Sequence, residues 1–287
     1  MRLGINMPLL DAQGEALDGA GIASRAQAVE AAGLEGIWIG DGFSPGMTRP
    51  DPLMWMLVAA TATSKIEVGT SVLIVPLRHP VELAQRLLTL EALTGGRFTL
   101  GAGAGSTRSS YESFGLDFDQ RFSVLERYLA DVKRLCAGEV VGTADLNPWP
   151  RVRGGPSILI GAWHSQVWLR RAVERYDGWM CSAGRTNLAT MREALKRYRD
   201  LGGRRALVST CMIDLRAPTS RLSEDDPFHL RCSPDEAGER LQLLAGLGFD
   251  DVLLVKADHT RRLSIYEADF TVEDLEEIRG LVPTGSV

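Results

Sequence analysis

The residues best suited to chemistry in this chain form a glycine-rich run followed by hydroxyls. Gly101-Ala102-Gly103-Ala104-Gly105 leads into Ser106, Thr107, Arg108, Ser109, Ser110 and Tyr111. Backbone free of side chains lets N–H groups converge on an anion, and hydroxyls and a guanidinium add donors for phosphate oxygens. The same composition also suits a tight strand-to-helix turn. A second run, Gly161-Ala162-Trp163-His164-Ser165, ends at a residue able to cap a helix, whose first-turn N–H groups attract anions. Neither run has the Lys-Ser/Thr of a P-loop, and the spacing after Gly101 does not fit a dinucleotide fingerprint. Together the two loops suit one phosphorylated cofactor.

Groups for proton transfer are sparse. Asp41 is the best-placed carboxylate, at the end of a strand-like run, although such a residue also serves as a helix cap. Glu112 follows the glycine-rich loop and faces either a cofactor or a local arginine. His164 lies in the second loop, as a donor to phosphate or substrate or as an exposed side chain. His79 reads as a loop brace. His259, with Asp258 and Arg261 near it, makes either a substrate-contacting cluster or a solvated loop, and His229 is assigned nothing. No pair has a spacing that fixes an acid and a base.

These residues need a scaffold, and the hydrophobic pattern supplies one. Strand-like runs occur at Leu3–Met7, Ile37–Ile39, Glu67–Leu73, Phe98–Leu100, Ile158–Ile160, Gly178–Cys181, Ala206–Leu215 and Val252–Val255. Several lack alternation, as parallel strands buried on both faces do. Helical periodicity follows each one, near residues 22–32, 51–62, 80–93, 120–137, 165–176, 187–201, 233–247 and 271–281. Phe122, Leu125, Leu129, Val132 and Cys136 illustrate it. Residues 138–157 hold too many Gly and Pro for a helix and read as an excursion or small hairpin. Eight β/α units in one domain predict an α/β fold of the (β/α)8 TIM-barrel type, with an open doubly wound sheet as runner-up. In a barrel the chemistry sits at the C-terminal ends of the strands, where Asn6, Asp41, Ser71, Val72, Gly103–Tyr111, Gly161–Ser165, Ser182–Arg185 and Lys256–Arg261 fall.

Composition narrows the partners. Net charge is −5 with no basic block, which disfavours nucleic acid and anionic membrane. No apolar run approaches the roughly 18 residues that span a bilayer, and the first residues lack a signal peptide's pattern. The four cysteines are far apart with no CxxC pair, so neither a metal site nor a disulfide framework is suggested. The expectation is a cytoplasmic protein acting on a small molecule. Trp38, Phe43, Trp163 and Trp179 line an apolar pocket or belong to barrel core.

The chain resembles the bacterial luciferase-like family of flavin- and deazaflavin-dependent oxidoreductases. The likeness is carried by VEAAGLEGIWIGD (29–41), IEVGTSVLIVPLRHPVELAQRLLTLEALTGGRFTLGAGAG (66–105), PSILIGA (156–162) and RRAVERYDGWM (170–180). It implies a (β/α)8 barrel and an enzyme using coenzyme F420, favoured by the wording of GTSVL and GIWIGD, or else FMN with a separate reductase. A barrel that binds a cofactor without turnover is a third reading. On this resemblance Gly103, Ala104, Gly105, Ser106 and Thr107, with Gly161, Ala162 and His164, hold the phosphate. Ser71–Val72 becomes a cis peptide bulging against the ring. Family members commonly carry Asp-His where this chain has Asp41-Gly42, so Asp41, Glu112 or His164 has to take over that role. The segment 216–232 is short beside the corresponding insertion in many relatives, and a homodimer is implied.

Overall fold

The computed structural model describes residues 1–11, 15–43, 48–260 and 269–282. Its strands are β1 (Arg2–Asn6), β2 (Gly36–Ile39), β3 (Glu67–Thr70), β4 (Leu73–Ile74), β5 (Phe98–Gly103), β6 (Ser157–Gly161), β7 (Gly178–Ser182), β8 (Arg205–Asp214), β9 (Leu230–Arg231) and β10 (Asp251–Lys256). Eight of them close a parallel barrel in the order β10-β1-β2-β3-β5-β6-β7-β8, with β10 pairing back onto β8. Strand β4 continues β3, and β9 runs beside the end of β8. The barrel, not the open sheet, is the architecture.

The helices are α1 (Gly19–Ala31), α2 (Pro52–Thr61), α3 (Pro80–Thr94), α4 (Arg108–Ser113), α5 (Arg121–Ala137), α6 (Gln166–Arg175), α7 (Leu188–Asp200), α8 (Pro234–Leu247) and α9 (Val272–Gly280). Their ends follow local chemistry. The Asp51 carboxylate accepts from Leu53 N at 2.8 Å ahead of Pro52, a residue that lacks the N–H a first turn leaves unpaired. Thr271 and Asp274 form a reciprocal capping box at α9. His79, expected to brace a loop, caps α3 by accepting from Val81 N. None of the described helices is long and apolar enough to cross a membrane.

The Ser71–Val72 peptide is cis, as the resemblance implies. The third strand is interrupted there, between Thr70 and Leu73, where an unbroken run over Glu67–Leu73 is expected. A ninth helix, α4, is too short to show a period. The excursion expected over 138–157 contains a minimal antiparallel hairpin, in which Val141 and Ala144 each donate N–H to the other's carbonyl at 3.0 Å, then a 3-10 turn at Pro150–Val152, and Ser157 already belongs to β6.

The barrel interior is layered along its axis. At the N-terminal end Arg205 of β8 reaches across to Glu67 of β3, both nitrogen–oxygen pairs at 2.8 Å, while also binding Asp251. Above this lie Trp38, Leu159, Met180, Leu207 and Leu253, contributed by β2, β6, β7, β8 and β10, with Val72 packed on top. The Trp38 indole fits because β1, β2 and β3 carry glycine beside it; a Cβ at Gly69 would fall 2.4 Å from its ring. An outer shell of helix and strand side chains completes the core.

Burial would raise the Glu67 pKa, but the hydrogen bonds and charge of Arg205 and the charge of Arg2 hold it below the usual carboxylate range. Its stabilisation is therefore whole above the unfolded value of about 4.3 and is lost as pH falls through the lowered folded value. Glu67→Gln is expected to cost about 2–4 kcal/mol at neutral pH. It should also flatten the loss of stability as pH falls below about 4.3 in urea titrations, and an unchanged acid limb would contradict this role.

Candidate active site

Above Val72 the strand ends open into a cavity of about 510 Å³. Its floor is set by close approach. Ideal Cβ positions at Gly103 and Gly161 fall 2.6 and 2.7 Å from the Val72 methyls, so only glycine at both sites admits the Val72 side chain between β5 and β6. Gly105 is required for a different reason, its φ of +69°. Pairing shifts by one residue here: Gly69 faces Thr99, whereas Leu73 faces Ala102. The extra residue on the β3–β4 side is what lifts Val72 into the mouth.

Asp41 holds this bulge from behind. Its N–H donates to Val72 O at 3.1 Å, and its carboxylate accepts from Ile74 N at 2.9 Å and from Arg78. Arg78 also donates to Ile74 O at 3.2 Å. Both side chains are buried, at 2% and 8% exposure. Ser71 is tied to Asn6, with Oγ 2.7 Å from Oδ1.

The two glycine-bearing loops form the polar end. Buried Tyr111 donates its hydroxyl to Ala104 O, and burial pushes its pKa up to about 12 against the nearby Arg121 charge, so it serves as a brace. The Ala162 N–H donates to Met180 O at 3.0 Å and Trp179 Nε1 donates to Ala162 O, which fixes the second loop to β7. Ser165 precedes α6 but makes no side-chain cap bond, leaving first-turn N–H groups free for an anion at the cavity wall.

Of the sequence-predicted cofactor residues, Ser71, Val72, Gly103, Ala104, Gly105, Ser106, Gly161 and Ala162 line this one cavity, and Thr107 lies outside its lining. His164 also lines it. Asp41 does not, being committed to Arg78 and the bulge, and Glu112 is exposed on α4 away from the lining. The space a side chain at Gly42 would enter is taken by Arg49, whose Nη1 is 2.6 Å from the ideal Cβ. Trp38 and Trp179 are barrel core, Phe43 stacks edge-on with Phe114, and Trp163 lines the cavity. His259 Nδ1 is 2.8 Å from Asp214, which burial would raise but which His259 and backbone N–H groups hold below the usual carboxylate pKa. Arg261 lies outside the described residues.

Other lining residues carried no readable signal. Ser209 and Thr210 line the cavity at a bulge in β8, where Val208 pairs with Val252 and Cys211 with Leu254, and Thr210 has φ +55°. That conformation is costly for a β-branched residue and is retained where surrounding structure dictates it. Phe118, Arg121, Phe122 and Trp168 form one wall. Phe122 shares the helical period of core residues, yet it is 47% exposed and faces the cavity.

This barrel with its cavity over the strand ends has known counterparts. The chain belongs to the luciferase-like monooxygenase family, whose model matches residues 1–213. It is 30% identical over 197 residues to the F420-dependent glucose-6-phosphate dehydrogenase of Kineococcus radiotolerans, covering 61% of this chain and 58% of that one. A shorter stretch of 86 residues is 43% identical to 4-hydroxyprotoasukamycin monooxygenase of Streptomyces nodosus subsp. asukaensis, covering 30% of this chain and 23% of that enzyme. The chain thus spans less than two thirds of either relative. The fold matches a monooxygenase from Streptomyces bottropensis with a TM-score of 0.77 at 18% identity, covering 98% of this chain and 97% of that one.

Removing one partner of the buried Asp41–Arg78 pair leaves an uncompensated charge. Asp41→Ala is expected to destabilise by about 3 kcal/mol or more, whereas Glu112→Ala should stay within about 0.5 kcal/mol. Urea unfolding of both variants checks this, and equal effects would contradict the assignment.

Proposed function

We propose that this chain is an oxidoreductase that uses the deazaflavin coenzyme F420 for hydride transfer to or from a small organic molecule. The observation that carries the reading is the single cavity that gathers the Val72 bulge and the two glycine-bearing loops. The residues present fit such a cofactor. Gly103 and Gly161 leave room for a bulge that a flat ring can lean on, and the uncapped α6 terminus and Ser106 suit a phosphate. When bound, the cofactor supplies a ring carbon that accepts or releases hydride. Val72 would set the ring's position, and the loops would anchor its phosphate. His164, at the cavity rim, can donate from one ring nitrogen and accept at the other.

The longer sequence match, to an F420-dependent dehydrogenase, supports the deazaflavin. The shorter but closer match to a monooxygenase supports a second reading, an FMN-dependent monooxygenase served by a separate reductase. Fluorescence titration of the purified protein with each cofactor separates them. The proposal predicts saturable F420 binding at least about tenfold tighter than FMN, a difference of about 1.4 kcal/mol. Tighter FMN binding would favour the second reading, and binding of neither would end both. Binding without turnover over a substrate panel would leave a non-catalytic barrel.

A further inference from the structure

Two bulges face each other across the cavity. In the closed order β10-β1-β2-β3-β5-β6-β7-β8, strands β3 and β8 stand four places apart, on opposite sides of the barrel. The first bulge lifts Val72 beyond the end of β3. The second lies in β8, where Ser209 and Thr210 together stand against Leu253. Pairing of β8 with β7 ends at Ser209, opposite Ser182, so Thr210 falls outside the register on both sides. Bulges of this kind re-aim a side chain, and Thr210 is aimed at the cavity that it lines.

The conformation is costly, because Thr210 is β-branched and has φ +55°. Nothing inside the chain uses its polar atom. Ser209 Oγ donates to Cys181 O at 2.9 Å, whereas the Thr210 hydroxyl is neither bonded nor buried among the described residues. Its methyl carbon is turned toward Gly184, 3.6 Å from where a Cβ would stand. A strained residue holding an unengaged hydroxyl over a cavity is arranged for a ligand. The surrounding charge narrows that ligand. Among the described residues no carboxylate lines the cavity, and burial pushes the Cys181 thiol up, so it stays neutral. A cation would find no counter-charge there, while a hydroxyl can donate to or accept from an uncharged oxygen.

We infer that Thr210 is a specificity-determining residue that hydrogen-bonds an uncharged carbonyl or hydroxyl oxygen of a substrate held between the cofactor ring and β8. The inference rests on the proposed position of the ring against Val72, and it adds the polar group of the substrate and the strand that reads it.

The test uses three probes of nearly equal shape: acetophenone, α-methylstyrene and 1-phenylethylamine. Their dissociation constants are measured by calorimetry on protein loaded with F420, or with FMN if that binds more tightly. Wild type should bind the ketone at least about threefold more tightly than the alkene or the amine. Thr210→Val, which keeps the branched shape and loses the hydroxyl, should weaken the ketone about 3- to 10-fold and the alkene less than about twofold. Thr210→Ser should keep the preference, and the dissociation constant of the cofactor should move less than about twofold in either variant. Equal weakening of ketone and alkene would assign Thr210 to packing and overturn the inference. So would an unchanged ketone affinity, a larger loss of cofactor than of ketone, or a loaded wild type that binds no probe or does not prefer the ketone. If wild type binds neither cofactor, the flavin-type reading itself fails, an outcome distinct from a loaded protein without ketone preference. Thermal melts confirm that each variant is folded, and Thr210→Gly, which relieves the left-handed strain, carries the test if Thr210→Val is not.

Discussion

The site depends on one steric fact: a valine side chain occupies the space where Cβ atoms of residues 103 and 161 would stand. Two adjacent strands must therefore carry glycine at matching heights, and the chain between Thr70 and Leu73 must bulge by one residue to deliver Val72 there. The other requirements follow from these. Gly101 is constrained by the same crowding, since a Cβ there would lie 1.9 Å from Thr70 O. The alternating glycines of GAGAG thus serve successive purposes along one strand: backbone contact at 101, the valine at 103 and a left-handed turn at 105. What reads as a phosphate motif is thus a packing motif as well.

The barrel separates stability from function along its axis. The Arg205–Glu67–Asp251 cluster closes the N-terminal end, an apolar layer built around Trp38 fills the middle, and the Val72 bulge forms the boundary with the cavity. A bulge exposed to the cavity needs support that does not come from the cavity, and the buried Asp41–Arg78 pair provides it from the far side. Charge is thereby kept beneath and behind the cavity floor.

The fold and most of the residues that line the cavity were legible in the sequence because parallel strands and glycine-rich turns leave strong local patterns. Eight apolar runs followed by helical periods specify a barrel, and the glycines that admit Val72 fall inside the most distinctive motif. Asp41 was legible as important but not as a brace, since its partner Arg78 is 37 residues away. Phe122 kept the period of a core residue because helical spacing records which face is apolar, without telling a packed core from a cavity wall. Thr210 gave no sign, because the β8 bulge lies inside an otherwise continuous strand pattern.

A crystal structure of the protein grown with F420 tests the central claim most directly. The account predicts ring density against Val72 and phosphate density between Ser106 and Ser165. Well-defined ring density elsewhere on the barrel, with Val72 facing solvent, would contradict it.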